Sequence, residues 1–140
     1  MIVSTKGRYA LRVMVQLAAS QPGEYMPLGQ ISRREGISMK YLEAIFAVLV
    51  KAGFVEGLRG KGGGYRLTHS PAAYTVGSVL RLTEKSLAPV GCMAAGTPAC
   101  DRAGRCPTRS MWQELDRMIS AYFDSITLAD LAAGCSGADA

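Results

Sequence analysis

The sequence predicts a mainly α-helical chain with one small β-hairpin, and three stretches carry that prediction. Residues 28–51 read as two helices meeting at Gly36. Residues 54–67 read as two short strand-like pieces, FVEGL and YRL, about a basic, Gly-rich centre, RGKGGG. Residues 107–126 repeat large apolar side chains at helical spacing. Two helices joined by a Gly-containing turn and followed by a hairpin make a winged helix-turn-helix, and the third stretch adds a long helix behind it.

The elements follow in order. A first helix is expected over 6–19, with Ser4 or Thr5 as N-cap and QPGEY as its terminator. The second, over 28–35, stops at Gly36, the residue best suited to a left-handed helix end. Ser38 caps the third, over 39–51, whose apolar stripe is Leu42, Ile45, Phe46 and Leu49. Lys40, Glu43, Ala44 and Ala47 lie on its other face. After the hairpin, Thr75 caps a short helix, VGSVLRLTEK. A loop over 88–107 holds three cysteines, and a helix over 107–125 carries Trp112, Leu115, Met118, Ile119, Tyr122 and Phe123 along one side. Thr127 and Asp130 fit a capping box for a last helix that Gly134 is expected to close.

At 140 residues, 49% hydrophobic, the chain has the length and composition of one folded domain. No apolar run approaches the ~20 residues needed to cross a bilayer. The N-terminal MIVSTKGRYALRVMVQLAAS has some signal-peptide flavour. Arg12 and Gln16 interrupt its apolar stretch, and Leu11, Val15, Ala18 and Ala19 fall on one helical face, so a core-packed helix and a cytoplasmic protein are expected. Without a secretory signal, four cysteines favour reduced thiols or metal ligands over a disulfide framework.

The net charge of +5 is unevenly placed. Through Arg66 there are ten Lys/Arg against four Asp/Glu, and after it six against seven. A basic N-terminal half points to a polyanion, nucleic acid before an anionic membrane. The third helix offers Ser38 at its N-terminus, Lys40 for a phosphate or guanine, and Glu43, which repels phosphates but can accept from a cytosine amino group. The hairpin tip offers Arg59, Gly60 and Lys61 on a backbone free to approach closely. It is no Walker A loop, because Lys61 is followed by glycines and a strand rather than Ser/Thr and a helix. Arg33 and Arg34 read as a solvated helix face. No nucleophile–base or acid pair stands out, so an enzyme is not expected.

In GCMAAGTPACDRAGRCPTR, seven residues separate Cys92 from Cys100 and five separate Cys100 from Cys106. Structural zinc sites use closer knuckles. A thiol switch needs two cysteines in an activating setting, which Arg102, Arg105 and Arg109 could supply. An iron–sulfur cluster is held mainly by thiolates, and the small residues between these three would let a loop wrap one. Spacing alone leaves cluster and thiol switch both open.

STKGRYALRVMVQLA, ISMKYLEAIF, LRGKGGGY, TVGSVL, the three-cysteine loop and ITLADL, in this order, resemble the Rrf-two family of winged-helix transcription regulators, of the IscR- and NsrR-like three-cysteine type. The resemblance covers residues 1 to about 133. It implies a homodimer on double-stranded operator DNA, with domains at 1–85 (winged helix-turn-helix), 86–107 (cluster loop), 108–133 (dimerisation and C-terminal helices) and a 134–140 tail. It implies an iron–sulfur cluster, [2Fe–2S] before [4Fe–4S], on Cys92, Cys100 and Cys106. It places Ser38, Met39, Lys40, Tyr41, Glu43, Arg59, Gly60 and Lys61 at DNA, with Ser4, Lys6 and Arg8 at phosphates. It puts Trp112, Leu115, Ile119 and Tyr122 in the dimer seam, and ties Glu43 to a choice between site types. The rivals are a cluster-free thiol or metabolite sensor of the same fold and a metal-binding protein-interaction module.

Two departures from the family pattern bear on the site. The first two cysteines are spaced by seven residues rather than five, and Arg109 stands where a histidine follows the third cysteine. A guanidinium has no lone pair to give and cannot ligate iron. The nitric-oxide-sensing branch takes a carboxylate from the partner's first helix, where this chain has Lys6, Arg8 and Tyr9. A fourth ligand is thus left to Asp101, Thr108, Cys135, His69, a small exogenous ligand, or none.

Overall fold

The computed structural model describes residues 3–138, with side chains through Gly134. The elements are α1 (Thr5–Ala19), α2 (Leu28–Glu35), α3 (Met39–Lys51), β1 (Val55–Leu58), β2 (Gly64–Leu67), α4 (Val76–Thr83), α5 (Arg109–Ser125) and α6 (Leu128–Ala138), with 3-10 turns at Pro71–Ala73 and Gly91–Met93.

Local chemistry sets most boundaries. The Ser4 hydroxyl accepts from the Gly7 N–H at 3.0 Å and starts α1, and Ser38 accepts from Tyr41 N–H at 3.2 Å and starts α3. Gly36 ends α2 at φ 66° and ψ 32°, where a side chain would be strained. Thr75 with Ser78, and Thr127 with Asp130, form reciprocal caps on α4 and α6.

The expected stripe of α3 is the centre of the molecule: Leu42, Ile45, Phe46 and Leu49 are each 0% exposed. Ala10, Val13 and Met14 of α1 and Ile31 of α2 close over it. Burying a Leu, Ile or Phe side chain contributes about 1.5–3 kcal/mol, so this cluster fixes the angle between α2 and α3.

The hairpin is antiparallel, pairing Val55 with Leu67 and Leu58 with Gly64. Its root is held at a third position, where Met26 and Tyr65 exchange backbone hydrogen bonds at 2.8 and 2.9 Å. Gly64, at φ 145°, permits that approach, because a Cβ there would strike the Met26 carbonyl. The Phe46 ring stacks on Tyr65 with centroids 4.1 Å apart, so the hairpin rests on α3 itself.

The Tyr74 hydroxyl donates to Phe54 O at 2.8 Å and accepts from the Thr68 and His69 N–H groups at 3.1 and 2.9 Å. Behind it the starts of α4 and α6 are laced together, Val76 N–H to Ile126 O at 2.9 Å and Leu128 N–H to Tyr74 O at 3.0 Å. A second, smaller core of Val76, Leu80 and Leu87 takes Phe123 from α5.

Three boundaries differ from expectation. Helix α4 ends at Thr83, two residues earlier than VGSVLRLTEK suggests, and Glu84 turns away in extended backbone. Helix α5 starts at Arg109 rather than 107, with Thr108 as its flanking residue. Helix α6 runs through Gly134 to Ala138: a helical glycine costs about 1 kcal/mol but does not break the hydrogen-bond ladder. Cys135, a candidate bystander or fourth ligand, has its side chain outside the described residues.

Candidate nucleic-acid interface and cysteine loop

Helix α3 buries one face and leaves the other to solvent. Ser38, Met39, Lys40 and Glu43 are exposed, Met39 at 44%. Tyr41 is half-buried, its ring meeting Tyr9 of α1 edge to face at 5.6 Å. That contact sets the second turn of α1 beside the first turn of α3. Arg12 lies over the other side of the cluster, 5.4 Å from the Tyr9 ring centre, and donates to Glu35 O at 2.7 Å.

At the wing tip, Arg59, Gly60 and Lys61 are exposed on a turn closed by Gly63 N–H to Gly60 O at 3.0 Å. Arg66, at the wing root, is used differently. It donates to Glu56 at 2.6 Å and to Gly23 O at 3.0 Å, and lies 4.4 Å from the Tyr25 ring centre.

The ion pairs among the described residues are Arg12–Glu35, Arg66–Glu56, Arg81–Asp124 and Arg117–Glu114. None of them uses Lys6, Arg8, Lys40, Arg59 or Lys61. Outside those pairs the basic half leaves Lys6 and Arg8 at the α1 start, Lys40 at the α3 start and Arg59 and Lys61 at the wing tip, together with Arg33 and Arg34 in the last turn of α2 and Lys51 at the end of α3. Arg8 donates only to the neutral Thr5 hydroxyl, at 3.2 Å. Ser4, an expected phosphate contact, is engaged within the chain: besides capping α1, its hydroxyl donates to Glu84 Oε1 at 2.6 Å and its N–H to the same oxygen at 2.9 Å.

The loop keeps its thiols free: Cys92 and Cys100 are exposed and Cys106 is half-exposed. Short-range bonds shape it, such as Met93 N–H to Val90 O at 3.1 Å and Ala103 N–H to Cys100 O at 2.9 Å. Among the described residues, no three His, Cys, Asp or Glu side chains converge as a metal site. The donor chemistry fits an iron–sulfur cluster, three unpaired thiols on one accessible loop, whereas the positions of the thiols are not those of a gathered site.

Cys106 sits beside groups that favour its thiolate. The Thr108 hydroxyl, 3.3 Å from its sulfur, pulls its pKa below the ordinary thiol value, followed by the N–H of Thr108; the N–H and charge of Arg109 add less. The hydroxyl that could have capped α5 is turned to sulfur instead, and α5 begins with no side-chain cap. Asp101 is exposed, and His69 sits at the wing exit with Nδ1 2.9 Å from the Thr68 hydroxyl.

Along α5 the expected seam divides. Leu115 and Tyr122 are 37% and 64% exposed, and Met111 and Met118, at 52% and 54%, join them. Trp112 and Ile119 are partly covered, and no residue of α5 is fully buried. Met111, Leu115, Met118 and Tyr122 follow a heptad-like i, i+4, i+7, i+11 spacing, a pattern whose first member sequence reading overlooked.

A helix-turn-helix with a wing, uncompensated cations on its outer face and a free-thiol loop behind it define a winged-helix regulator of transcription. The Rrf2 (Rrf-two) family, described as an iron-dependent transcriptional regulator, matches residues 3–134, and the chain belongs to it. It is 39% identical over 131 residues to the HTH-type transcriptional regulator IscR of Yersinia pseudotuberculosis, covering 94% of this chain and 79% of that protein. It is 40% identical to IscR of Aliivibrio salmonicida, covering 94% and 77%. Among solved structures, T. potens IscR aligns with a TM-score of 0.80 and 35% identity, over 100% of this chain and 92% of that one. CymR, the global cysteine regulator of B. subtilis, aligns with a TM-score of 0.79 and 33% identity, over 95% and 97%. The chain is an IscR-like transcriptional regulator, a class of protein that is not enzymatic. Among the described residues no helix is long and apolar enough to cross a membrane.

Proposed function

We infer that this protein is a cytoplasmic, homodimeric regulator that binds operator DNA through α3 and the wing, and that an iron–sulfur cluster on the 86–107 loop controls the binding. The observation that carries the DNA reading is the placing of uncompensated charge: Lys6, Arg8, Lys40, Arg59 and Lys61 stand unpaired at the α1 start, the α3 start and the wing tip, and Arg33, Arg34 and Lys51 at the ends of α2 and α3, while Arg12 and Arg66 are paired within the chain. Ser38, Met39, Lys40 and Glu43 would read base edges and adjacent phosphates, Tyr41 would hold α3 against α1, and Arg59, Gly60 and Lys61 would follow the backbone.

Cys92, Cys100 and Cys106 would hold the cluster, with [2Fe–2S] favoured by the likeness to IscR proteins. When bound, such a cluster supplies a group sensitive to oxidants, iron supply or nitric oxide. The chain's own part is to present three thiolates, with Thr108 favouring the ionised form of Cys106. A Met111, Leu115, Met118 and Tyr122 seam between two α5 helices would bring two recognition helices to successive major grooves.

A second reading, a thiol-redox regulator without a cluster, is favoured by the free, ungathered cysteines and the lowered pKa of Cys106. Anaerobic purification followed by visible absorption and iron and sulfide assays separates the two. Coloured protein with iron and sulfide that is lost in Cys92→Ala, Cys100→Ala and Cys106→Ala is expected. Colourless protein whose DNA binding ignores those substitutions would sink the cluster reading.

A further inference from the structure

We propose that Glu84 couples the cysteine loop to the DNA-facing end of α1 by competing with DNA phosphate for Ser4. The inference rests on the DNA-binding and loop-sensing reading above.

Glu84 follows the last residue of α4 and stands at the root of the loop, 80 residues from the helix end that it serves. One oxygen, Oε1, receives both the Ser4 N–H and the Ser4 hydroxyl, while Ser4 Oγ in turn receives the Gly7 N–H. The fit is close on every side. Gly7 is buried, and a Cβ on it would collide with Glu84 Oε1 and crowd Thr83 Oγ1.

A helix N-terminus favours an anion, and its free N–H groups accept either a carboxylate or a phosphate. Here the chain's own carboxylate takes that place. Lys6 and Arg8, one turn along, remain uncompensated, so a DNA phosphate drawn to them meets a Ser4 already engaged.

Glu84 also borders a hollow that the loop helps to wall. It lines this open hollow of about 280 Å³ together with Leu87, Met93, Ala95, Asp116 and Ser120. Met93 and Ala95 lie just past Cys92, so a loop drawn together around its cysteines reshapes the hollow that Glu84 borders. Releasing Glu84 frees the Ser4 N–H and hydroxyl for phosphate, and engaging it withdraws them. The Tyr9–Tyr41 contact carries the same α1 segment to the recognition helix.

The test uses the full chain, iron-loaded and metal-free, with Glu84→Ala, Glu84→Gln and Gly7→Ala. Amide hydrogen exchange at Gly7 and Arg8 reports the tie without DNA. It should quicken about tenfold in Glu84→Ala and Gly7→Ala and less in Glu84→Gln, whose amide oxygen still accepts. In titrations of operator-containing DNA, the ratio of the two affinities should fall to within about twofold of one in Glu84→Ala and Gly7→Ala, with visible absorption retained. Unchanged exchange, or a wild-type ratio kept in both variants, overturns the role of Glu84. A wild-type ratio of one overturns the loop-sensing reading together with the coupling, while tight DNA binding by both forms would leave the DNA-binding reading standing.

Discussion

Arg81 and Asp124 join α4 to α5 through a forked ion pair, Nη1 2.7 Å from Oδ1 and Nη2 3.0 Å from Oδ2. The hydrogen bond from Arg81, with a smaller contribution from its charge, holds the Asp124 carboxyl below the usual aspartate range. A depressed folded-state value means that the pair stabilises the chain above the ordinary aspartate pKa of about 3.9 and loses that contribution as pH falls through the folded value. Both side chains are nearly half-exposed, so the effect is small. In Arg81→Gln the Asp124 carboxyl, followed by carbon-detected NMR, should titrate higher, and the stability difference from wild type should vanish in acid.

Phe46 is fully buried and stacked on Tyr65, so it supports both the helix pair and the wing root. Phe46→Ala should cost about 3–5 kcal/mol, measured by urea unfolding, and should weaken DNA binding even in the surviving folded fraction.

Lys61 and Glu43 should separate affinity from choice of site. Lys61→Ala should weaken binding across sequences and lower the salt slope by about one, read from mobility shifts over a salt series. Glu43→Ala should instead broaden the set of sites bound. Equal loss on every site would refute the filter role, and a flat salt dependence in wild type would count against DNA binding altogether.

Arg109 occupies the position where related cluster loops offer histidine, and its guanidinium cannot bind iron. Arg109→Ala should leave iron and sulfide stoichiometry unchanged, whereas Cys106→Ala should abolish both. Equal loss in the two variants would show that Arg109 is needed to form the site.

The exposed stripe on α5 predicts the assembly. Leu115→Glu with Tyr122→Asp should shift sedimentation from dimer to monomer while leaving the far-ultraviolet spectrum unchanged. A wild-type chain that sediments as a monomer would remove the seam.

Helix ends were readable wherever a short-range bond sets them. Ser4, Gly36, Ser38, Thr75 and Thr127 each act on residues within a few positions, so their chemistry is visible in a string of letters. The stripe of α3 was readable for the same reason, as a period of the helix itself. The misplaced boundaries are those where two local signals compete. Gly134 weakens a helix without ending it, and Thr108 gives its hydroxyl to the Cys106 sulfur rather than to α5. What the sequence hides is contact across the chain: Glu84 with Ser4, Met26 with Tyr65, and Tyr9 with Tyr41. Met111 escaped the reading because its exposure is set by what the rest of the chain leaves uncovered, which no spacing rule supplies.

The Tyr74 phenol donates to the Phe54 carbonyl and accepts from the Thr68 and His69 N–H groups, and the Thr68 hydroxyl lies 3.1 Å from it as well. The end of α3, the exit of the wing and the entry to α4 consequently share one atom as their common origin of coordinates. Tyr74 thus acts as a surveyor's benchmark, from which the helix-turn-helix with its wing and the α4–α6 half are both measured.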